Sequence, residues 1–277
     1  MDYAFTTLGC QEWDLTTIID RASEYGFGGV DFRGYLGELE LFELPEFTTE
    51  VDRTVRRFGD AGLDVPCFSS SVRLMSRQPE QRRAAEDEIR AYAELCERFG
   101  ARFIRVFGGG VGQTPRDEAI DMAAENLLRF SELARPHGAT VLLETHDDWV
   151  RREHLLPLMQ RGQAGGAGLL WDTHHTYRPG GESPADFWQA LGPYVRYSHW
   201  KDSRVAPSAP RGHELCLVGA GDIPLEQTLR CMVKGGYRGY LALEWEKKWH
   251  PELDRPEVAF PAFVSHMNRL MKQVGAS

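Results

Sequence analysis

Short apolar runs rich in β-branched and aromatic residues alternate along this chain with longer amphipathic segments. The eight apolar runs predict β-strands, at residues 3–8, 28–33, 64–70, 102–108, 140–146, 167–173, 195–201 and 239–246. The eight amphipathic segments predict helices, at residues 14–26, 48–61, 79–99, 115–136, 150–161, 184–191, 224–234 and 255–273. Regular alternation of this kind favours a parallel sheet joined by right-handed crossovers.

The number and length of the repeating units favour an α/β fold of the (β/α)8 TIM barrel class. Eight strand–helix units in 277 residues average about 35 residues each, which is usual for a closed barrel. An open doubly wound sheet is the alternative that the pattern leaves open. No linker or low-complexity segment divides the chain, so we expect one domain over residues 1–277. The longest irregular stretch, residues 202–222, is expected to be an active-site lid.

Each of the last four predicted strands has, within two residues of its end, a residue that can bind a metal ion. The residues are Glu144, Asp172, His199 and Glu244. Because the carboxyl ends of barrel strands meet at one rim, we expect these side chains to lie together. Three carboxylates and one imidazole suit one divalent cation, such as Mn²⁺, Mg²⁺, Co²⁺ or Zn²⁺. The alternative is that each is only a polar cap at the end of its strand.

Strand alternation and position add candidate substrate contacts. Residues two apart share a face of a strand, so His146 lies on the side of Glu144, and Lys201 on the side of His199. Lys201 could neutralise an oxyanion or a substrate acid. Arg33, at the end of the second strand, could anchor a carboxylate or phosphate, and a structural ion pair is its alternative role.

Charge and composition exclude some classes of partner. The formal net charge of −9 argues against nucleic acid, which normally binds a basic surface. No stretch approaches the roughly 18 apolar residues of a membrane span, and the start of the chain has no signal-peptide pattern. Five scattered cysteines without CxxC spacing indicate a reduced, cytoplasmic protein. We expect a small-molecule partner and a possible homo-oligomer.

Several motifs together resemble a known enzyme family. The segments "LLETHDDW", "WDTHH", "YSHWKDS", "GAGDIPLEQTL" and "GYRGYLALEWE" resemble the sugar phosphate isomerase/epimerase family of xylose isomerase-like TIM barrels. The resemblance runs over most of the chain and is most specific in residues 140–246. The early segment "GGVDFRG" also resembles the second strand of that family.

The resemblance implies roles for particular residues. The four strand-end residues named above would be the metal ligands, and Glu144 and Glu244 would double as the acid/base pair. The family pattern D-T-x-H maps onto "DTHH" and makes His175 a substrate contact, whereas face alternation alone would nominate His174. Several ketose epimerases carry an arginine six residues after the histidine of the seventh strand. This chain has no arginine there, so Arg204, one residue earlier, and Lys201 are alternatives for the substrate-anchoring cation.

The implied activity is that of a divalent-metal-dependent isomerase or epimerase of a keto-sugar or keto-polyol. The metal would polarise the carbonyl and stabilise an enediolate, and the glutamates would move the proton. The alternative is a metal-dependent lyase of the same barrel class, either a dehydratase of a cyclic keto-polyol or a C-glycoside-cleaving enzyme. A three-zinc DNA-repair endonuclease would need more histidines at strand ends and a basic groove. A non-catalytic sugar-binding or scaffold protein would not need two glutamates across a metal.

Overall fold

The predicted strands are present in the computed structural model, which describes residues 1–275. The expected domain also includes residues 276–277, which lie outside the described residues. The predicted strands are β1 (Tyr3–Thr6), β2 (Gly29–Asp31), β3 (Cys67–Arg73), β4 (Phe103–Phe107), β5 (Thr140–Glu144), β6 (Gly168–Asp172), β7 (Val195–Trp200) and β10 (Leu241–Leu243). Two further strands that the sequence did not predict are β8 (Asp202–Val205) and β9 (His213–Cys216).

The predicted helices are also present, with one short addition. They are α1 (Leu15–Tyr25), α2 (Val51–Asp60), α3 (Pro79–Phe99), α4 (Arg116–Ala134), α5 (Arg152–Gly162), α6 (Thr173–Tyr177), α7 (Pro184–Leu191), α8 (Leu225–Lys234) and α9 (Pro256–Val274). The helix that the sequence did not predict is α6, which begins where the carboxylate of Asp172 accepts hydrogen bonds from the first backbone N–H groups. None of the helices in residues 1–275 is both long and apolar enough to cross a membrane.

The strand order confirms the TIM barrel. Eight strands pair in the order β2-β1-β10-β7-β6-β5-β4-β3, and each pairing between neighbours in this order is parallel. Parallel bridges from Gly29 to Asp64 and from Phe32 to Phe68 join the two ends of this sheet. The sheet therefore closes on itself, which rules out the open doubly wound alternative.

The interior of the barrel changes from apolar to polar along the strands. A lower layer of buried side chains fills the interior of the barrel. It comprises Ala4, Cys67, Leu142, Leu170, Tyr197 and Ala242. Because successive side chains of a strand alternate between its faces, the next inward-facing position lies two residues further on. At that level the side chains are polar, and this upper layer positions the candidate site.

The segment 202–222 is more ordered than the irregular loop that its sequence predicts. Strands β8 and β9 form an antiparallel hairpin within it. The carboxylate of Asp202 accepts hydrogen bonds from the backbone N–H groups of Gly219 at 2.9 Å, Gly221 at 3.0 Å and Ile223 at 3.2 Å. These contacts hold the segment that follows β9 against the start of β8, so the two ends of the hairpin are tied together.

Candidate active site

The four strand-end residues converge inside the barrel mouth. Glu144 ends β5, Asp172 ends β6, His199 lies in β7 and Glu244 follows β10. Ligand atoms of all four lie within 4.8 Å of one another. The side chains are buried, with Glu244 the most exposed residue of the four at 5%. The structure therefore brings together the whole predicted ligand set.

The imidazole of His199 is oriented by a carboxylate from the opposite side of the barrel. Its Nε2 lies 3.0 Å from Oδ2 of Asp31, whose other oxygen accepts the hydroxyl of Ser69 at 2.8 Å. Its Nδ1 lies 3.2 Å from Oε1 of Glu144 and 3.4 Å from Oε1 of Glu244. A carboxylate on one ring nitrogen commonly orients a metal-binding histidine, and here the other nitrogen faces two candidate ligands.

Asp172 has one oxygen held by backbone groups and one that faces the ammonium group of Lys201. Oδ1 accepts backbone N–H groups from His174 at 2.9 Å and His175 at 2.8 Å. Oδ2 lies 2.8 Å from Nζ of Lys201, but within residues 1–275 it has no partner in hydrogen-bonding geometry. Burial raises the pKa of this carboxyl to about 7, against the opposing Lys201 charge. A buried carboxylate in this state is stabilised by a cation.

Glu144 is ionised because of a neighbouring arginine. Nε of Arg105 lies 3.2 Å from Oε2 of Glu144, and both side chains are buried. Nη1 of Arg105 donates to the carbonyl of Ser70 at 2.9 Å, which holds the guanidinium in place. Burial acts to raise the pKa of Glu144, but the charges of Arg105 and His199 outweigh it and bring this pKa to about 2.

Lys201 links the remaining carboxylates. Its Nζ lies 2.5 Å from Oε2 of Glu244, 2.6 Å from Oε1 of Glu246 and 3.0 Å from Nε2 of His175. Burial acts to lower the pKa of Lys201, and the charges of Asp172 and Glu244 outweigh it, so the pKa is held well above its usual value. Lys201 is therefore a buried, charged residue directly beside the candidate ligands.

A cavity of about 1630 Å³ opens above the cluster. Of the predicted substrate contacts, His146, His175, Arg33 and Arg204 line it. Lys201 lies beneath the wall, with only 1% of its side chain exposed. Of the four candidate ligands, Glu244 reaches the lining and the others lie deeper. Arg204 is exposed on β8, at the rim.

The two histidines after β6 point to different partners. Nε2 of His174 lies 2.9 Å from the hydroxyl of Ser203, and this residue is 1% exposed. His175 turns instead toward the site, since its Nε2 lies 3.6 Å from Oδ2 of Asp172. The ring of His146 packs edge-on against that of His175, with ring centroids 4.5 Å apart. His146 and His175 therefore form one side of the cavity near the candidate ligands.

The sequence analysis missed three residues of this site, namely Asp31, Arg105 and Glu246. Asp31 ends β2, so the strand-end rule that nominated the candidate ligands would also have found it. Arg105 is a charged residue in the middle of an otherwise apolar strand, which is itself a signal. Glu246 shares a strand face with Glu244, but only the structure reveals its contact with Lys201.

The donor set fits a divalent cation. It combines three carboxylates and one imidazole, the oxygen and nitrogen ligands that such ions accept in proteins. The buried oxygen of Asp172 that lacks a hydrogen bond and the raised pKa of this carboxyl both favour a bound positive charge. These ligand types are shared by several divalent ions, so they indicate a metal site without selecting the metal.

Comparison with known proteins identifies relatives with the same fold. A curated relative, 3-dehydroshikimate dehydratase of Bacillus anthracis, is 25% identical over 207 residues, which are 73% of this chain and 72% of the relative. The solved structure of an IOLI protein with a bound zinc atom has a TM-score of 0.79 at 17% identity, covering 99% of this chain and 98% of that chain. A D-tagatose 3-epimerase-like protein has a TM-score of 0.78 at 16% identity, again covering 99% of this chain and 98% of that chain.

At these identities the two solved structures establish the fold alone. The family assignment comes from the sequence, because residues 19–261 match the xylose isomerase-like TIM barrel family. This span reaches from the first helix into the last one and includes every residue of the four-ligand cluster. The chain therefore belongs to the xylose isomerase-like TIM barrel family.

Proposed function

We propose that this protein is a divalent-metal-dependent isomerase or epimerase of a keto-sugar or keto-polyol. The observation that carries the proposal is the convergence of Glu144, Asp172, His199 and Glu244 within 4.8 Å of one another. A pure binding site has no need for two ionised glutamates beside a cation. The D-tagatose 3-epimerase-like protein among the structural neighbours has the same fold and supports this class of reaction.

The chain's own residues supply the proton transfers. A divalent cation bound by the four ligands supplies Lewis acidity that polarises a substrate carbonyl. Glu144 and Glu244 are both ionised, since their pKa values lie below the ordinary value. Either can therefore accept the proton α to that carbonyl. The same glutamate can then return this proton, or the other glutamate can return a proton that it has taken up from solvent. Return to the opposite face gives epimerisation, and return to the adjacent carbon gives isomerisation.

Further residues hold the substrate and the charges in this proposal. His146 and His175 contact the substrate from one side of the cavity. Lys201 stabilises negative charge that develops on the substrate while it orients Glu244. Arg204, on the hairpin of β8 and β9, contacts the substrate from the rim, and this hairpin acts as the lid.

A lyase reaction is the second candidate. It is favoured by the curated relative, which is a 3-dehydroshikimate dehydratase. Removal of the same α-proton can be followed by departure of a β-hydroxyl as water instead of by reprotonation. The first step and the ligand set are then unchanged, and only the fate of the substrate differs.

Proton exchange with solvent tests the proposal. The Mn²⁺-loaded protein is incubated in D₂O with D-fructose, D-tagatose and 3-dehydroshikimate, and the products are followed by NMR and mass spectrometry. Deuterium at the α-carbon with an isomeric product supports the isomerase or epimerase, whereas loss of water supports the lyase. Glu244→Gln should abolish either reaction, and the exposed-site control Glu226→Gln should not. A metal-loaded protein that exchanges no α-proton in any of these compounds contradicts the proposal.

A further inference from the structure

Arg33 is a buried guanidinium at the barrel mouth. It follows β2, and its backbone N–H donates to the hydroxyl of Thr7 at 2.9 Å, which fixes the chain at this point. The residue is 6% exposed, and it lines the cavity that Glu244 also lines. Its side chain therefore reaches the same space as the candidate ligand cluster.

The charge of Arg33 has no partner within residues 1–275. No carboxylate there lies within the 4.0 Å that defines an ion pair, and its buried Nη1 makes no hydrogen bond. The structural ion pair that is the alternative role for this residue is therefore absent from the described chain. Burial first, and then the Arg105 charge, lower the pKa of Arg33 to about 10, so it remains charged at neutral pH.

The groups around Arg33 leave its guanidinium available to bind an anion. The guanidinium carbon of Arg33 lies 5.9 Å from the ring centroid of Phe107, and that of Arg105 lies 3.9 Å from the same ring. Arg105 is neutralised by Glu144 at 3.2 Å. Glu88, the nearby carboxylate on α3, is engaged by the backbone N–H of Ser71 at 2.8 Å.

The cavity lining differs in charge between the first and the later part of the chain. The lining residues from the first part of the chain, residues 8–107, include three arginines and no carboxylate. The acidic lining residues all come from residue 147 onward. A substrate that extends from the candidate ligands to the lining residues 8–107 would therefore meet positive charge.

We propose that Arg33 determines substrate specificity by binding a carboxylate, so that the substrate is a hydroxyketo acid. This inference rests on the proposed function and names its substrate class. An unpaired buried charge is costly to a fold, and a bound anion removes that cost. The reacting hydroxyketone then lies at the metal ligands while the acid group lies at Arg33.

A carboxylate fits this wall better than a phosphate. A guanidinium presents two parallel N–H donors that match a planar carboxylate and can also bind a phosphate, so the choice between them depends on the surrounding groups. Leu8, Leu39 and Phe107 in this part of the lining are apolar. Of the two other arginines there, Arg105 is paired with Glu144 and Arg73 is exposed, so Arg33 is the buried arginine that remains available for the few oxygens of a carboxylate. Phosphate sites of this barrel class usually lie after the seventh and eighth strands, near a helix N-terminus, and Arg33 lies after the second.

Three ketoses that differ only at the sixth carbon test the inference. D-fructose, D-fructuronate and D-fructose 6-phosphate carry a hydroxymethyl group, a carboxylate and a phosphate there, respectively. Their dissociation constants are measured by calorimetry with the Mn²⁺-loaded protein. We expect D-fructuronate to bind about ten-fold to a hundred-fold more tightly than D-fructose, as a charged hydrogen-bonded contact provides. This gain should vanish in Arg33→Gln and persist in Arg53→Gln, which removes an exposed arginine.

Each other outcome overturns the inference. If D-fructose 6-phosphate binds most tightly of the three, Arg33 is a phosphate-binding residue instead. Equal affinity for the acid and the neutral sugar, or no binding of either, leaves Arg33 without this role. The proposed function is tested separately by metal content and α-proton exchange, so it can stand while the carboxylate site fails. If the protein binds no metal, the same ligand series on the metal-free protein still tests Arg33.

The melting temperature of an Arg33 variant is a second test. It should rise if Arg33 is an unpaired binding residue and fall if Arg33 stabilises the fold. Arg33→Met removes an unpaired buried charge and keeps most of the side-chain volume. We expect the Tm to rise by about 2 °C or more. A fall of similar size would indicate that Arg33 stabilises the fold and would contradict the inference.

Discussion

Two layers of side chains inside the same barrel have opposite characters. The lower layer is apolar on four strands, with Leu142, Leu170, Tyr197 and Ala242. The upper layer lies two residues further along each of those strands, with Glu144, Asp172, His199 and Glu244. Burial of the lower layer stabilises the fold by the hydrophobic effect. Burial of three carboxylates and an imidazole at the upper layer opposes folding unless their charges are compensated. One strand thus provides packing at one position and a candidate site residue at the next inward-facing one.

The largest expected effect is on activity, from the upper layer. Glu244→Gln keeps the shape of the side chain but removes the proposed proton carrier and a charged candidate ligand. We expect a loss in kcat/KM of about 10²–10⁴-fold, the usual contribution of acid–base catalysis. The free energy of unfolding should also fall, because Lys201 loses a buried charged partner. The rate is measured by α-proton exchange and the stability by urea unfolding. Near wild-type exchange would remove Glu244 from the chemistry.

The second effect is on stability, from the lower layer. Leu170→Ala removes a fully buried side chain and leaves a cavity, so we expect the free energy of unfolding to fall by about 2–5 kcal/mol. The folded fraction should still bind one equivalent of metal, because Asp172 keeps its backbone contacts. The matched surface control is Leu36→Ala, at a residue that is 51% exposed. A loss of metal binding by folded Leu170→Ala would mean that the two layers are not independent.

A smaller effect is expected from the carboxylate behind His199. Asp31→Asn keeps a hydrogen bond to Nε2 of His199 but removes the negative charge that orients and polarises the ring. We expect metal affinity to fall by about 10–100-fold, as measured by competition with a chelator. The control is Asp20→Asn on the exposed face of α1. Unchanged affinity in Asp31→Asn would show that the contact at 3.0 Å serves only the fold.

The smallest effect is expected outside both layers. Trp249 is 51% exposed at the cavity rim. We expect Trp249→Ala to change the free energy of unfolding by no more than about 0.5 kcal/mol. If the free energy of unfolding measured with denaturant falls by more than this, the rim also stabilises the core, and stability does not depend on the lower layer alone.

Most of the fold could be predicted from the sequence because its signals are local. The period of two in the strands and of 3.6 in the helices recurs in each unit, and the confirmed barrel follows from that repetition. The hairpin of β8 and β9 was missed because residues 202–222 carry turn-forming residues and little alternation. Their order comes from the carboxylate of Asp202, which binds backbone groups up to 21 positions away.

The sequence could predict only those site residues that a local pattern identifies one at a time. The strand-end rule nominated Glu144, Asp172, His199 and Glu244 because each ends an apolar run. The contact between Asp31 and His199 spans 168 positions of sequence, and no local pattern reveals such a pair. For the same reason the sequence left two roles open for Arg33. Whether a buried arginine has a carboxylate beside it depends on the packing of several strands.

The metal content of the purified protein tests the central hypothesis most directly. The wild type and Glu244→Gln are incubated with excess Mn²⁺ and then examined by elemental analysis and anomalous diffraction. We predict one cation in the wild type, bound by Glu144, Asp172, His199 and Glu244, with weaker occupancy in the variant. A wild-type protein that binds no metal under these conditions would contradict the account and make a non-catalytic role the better interpretation.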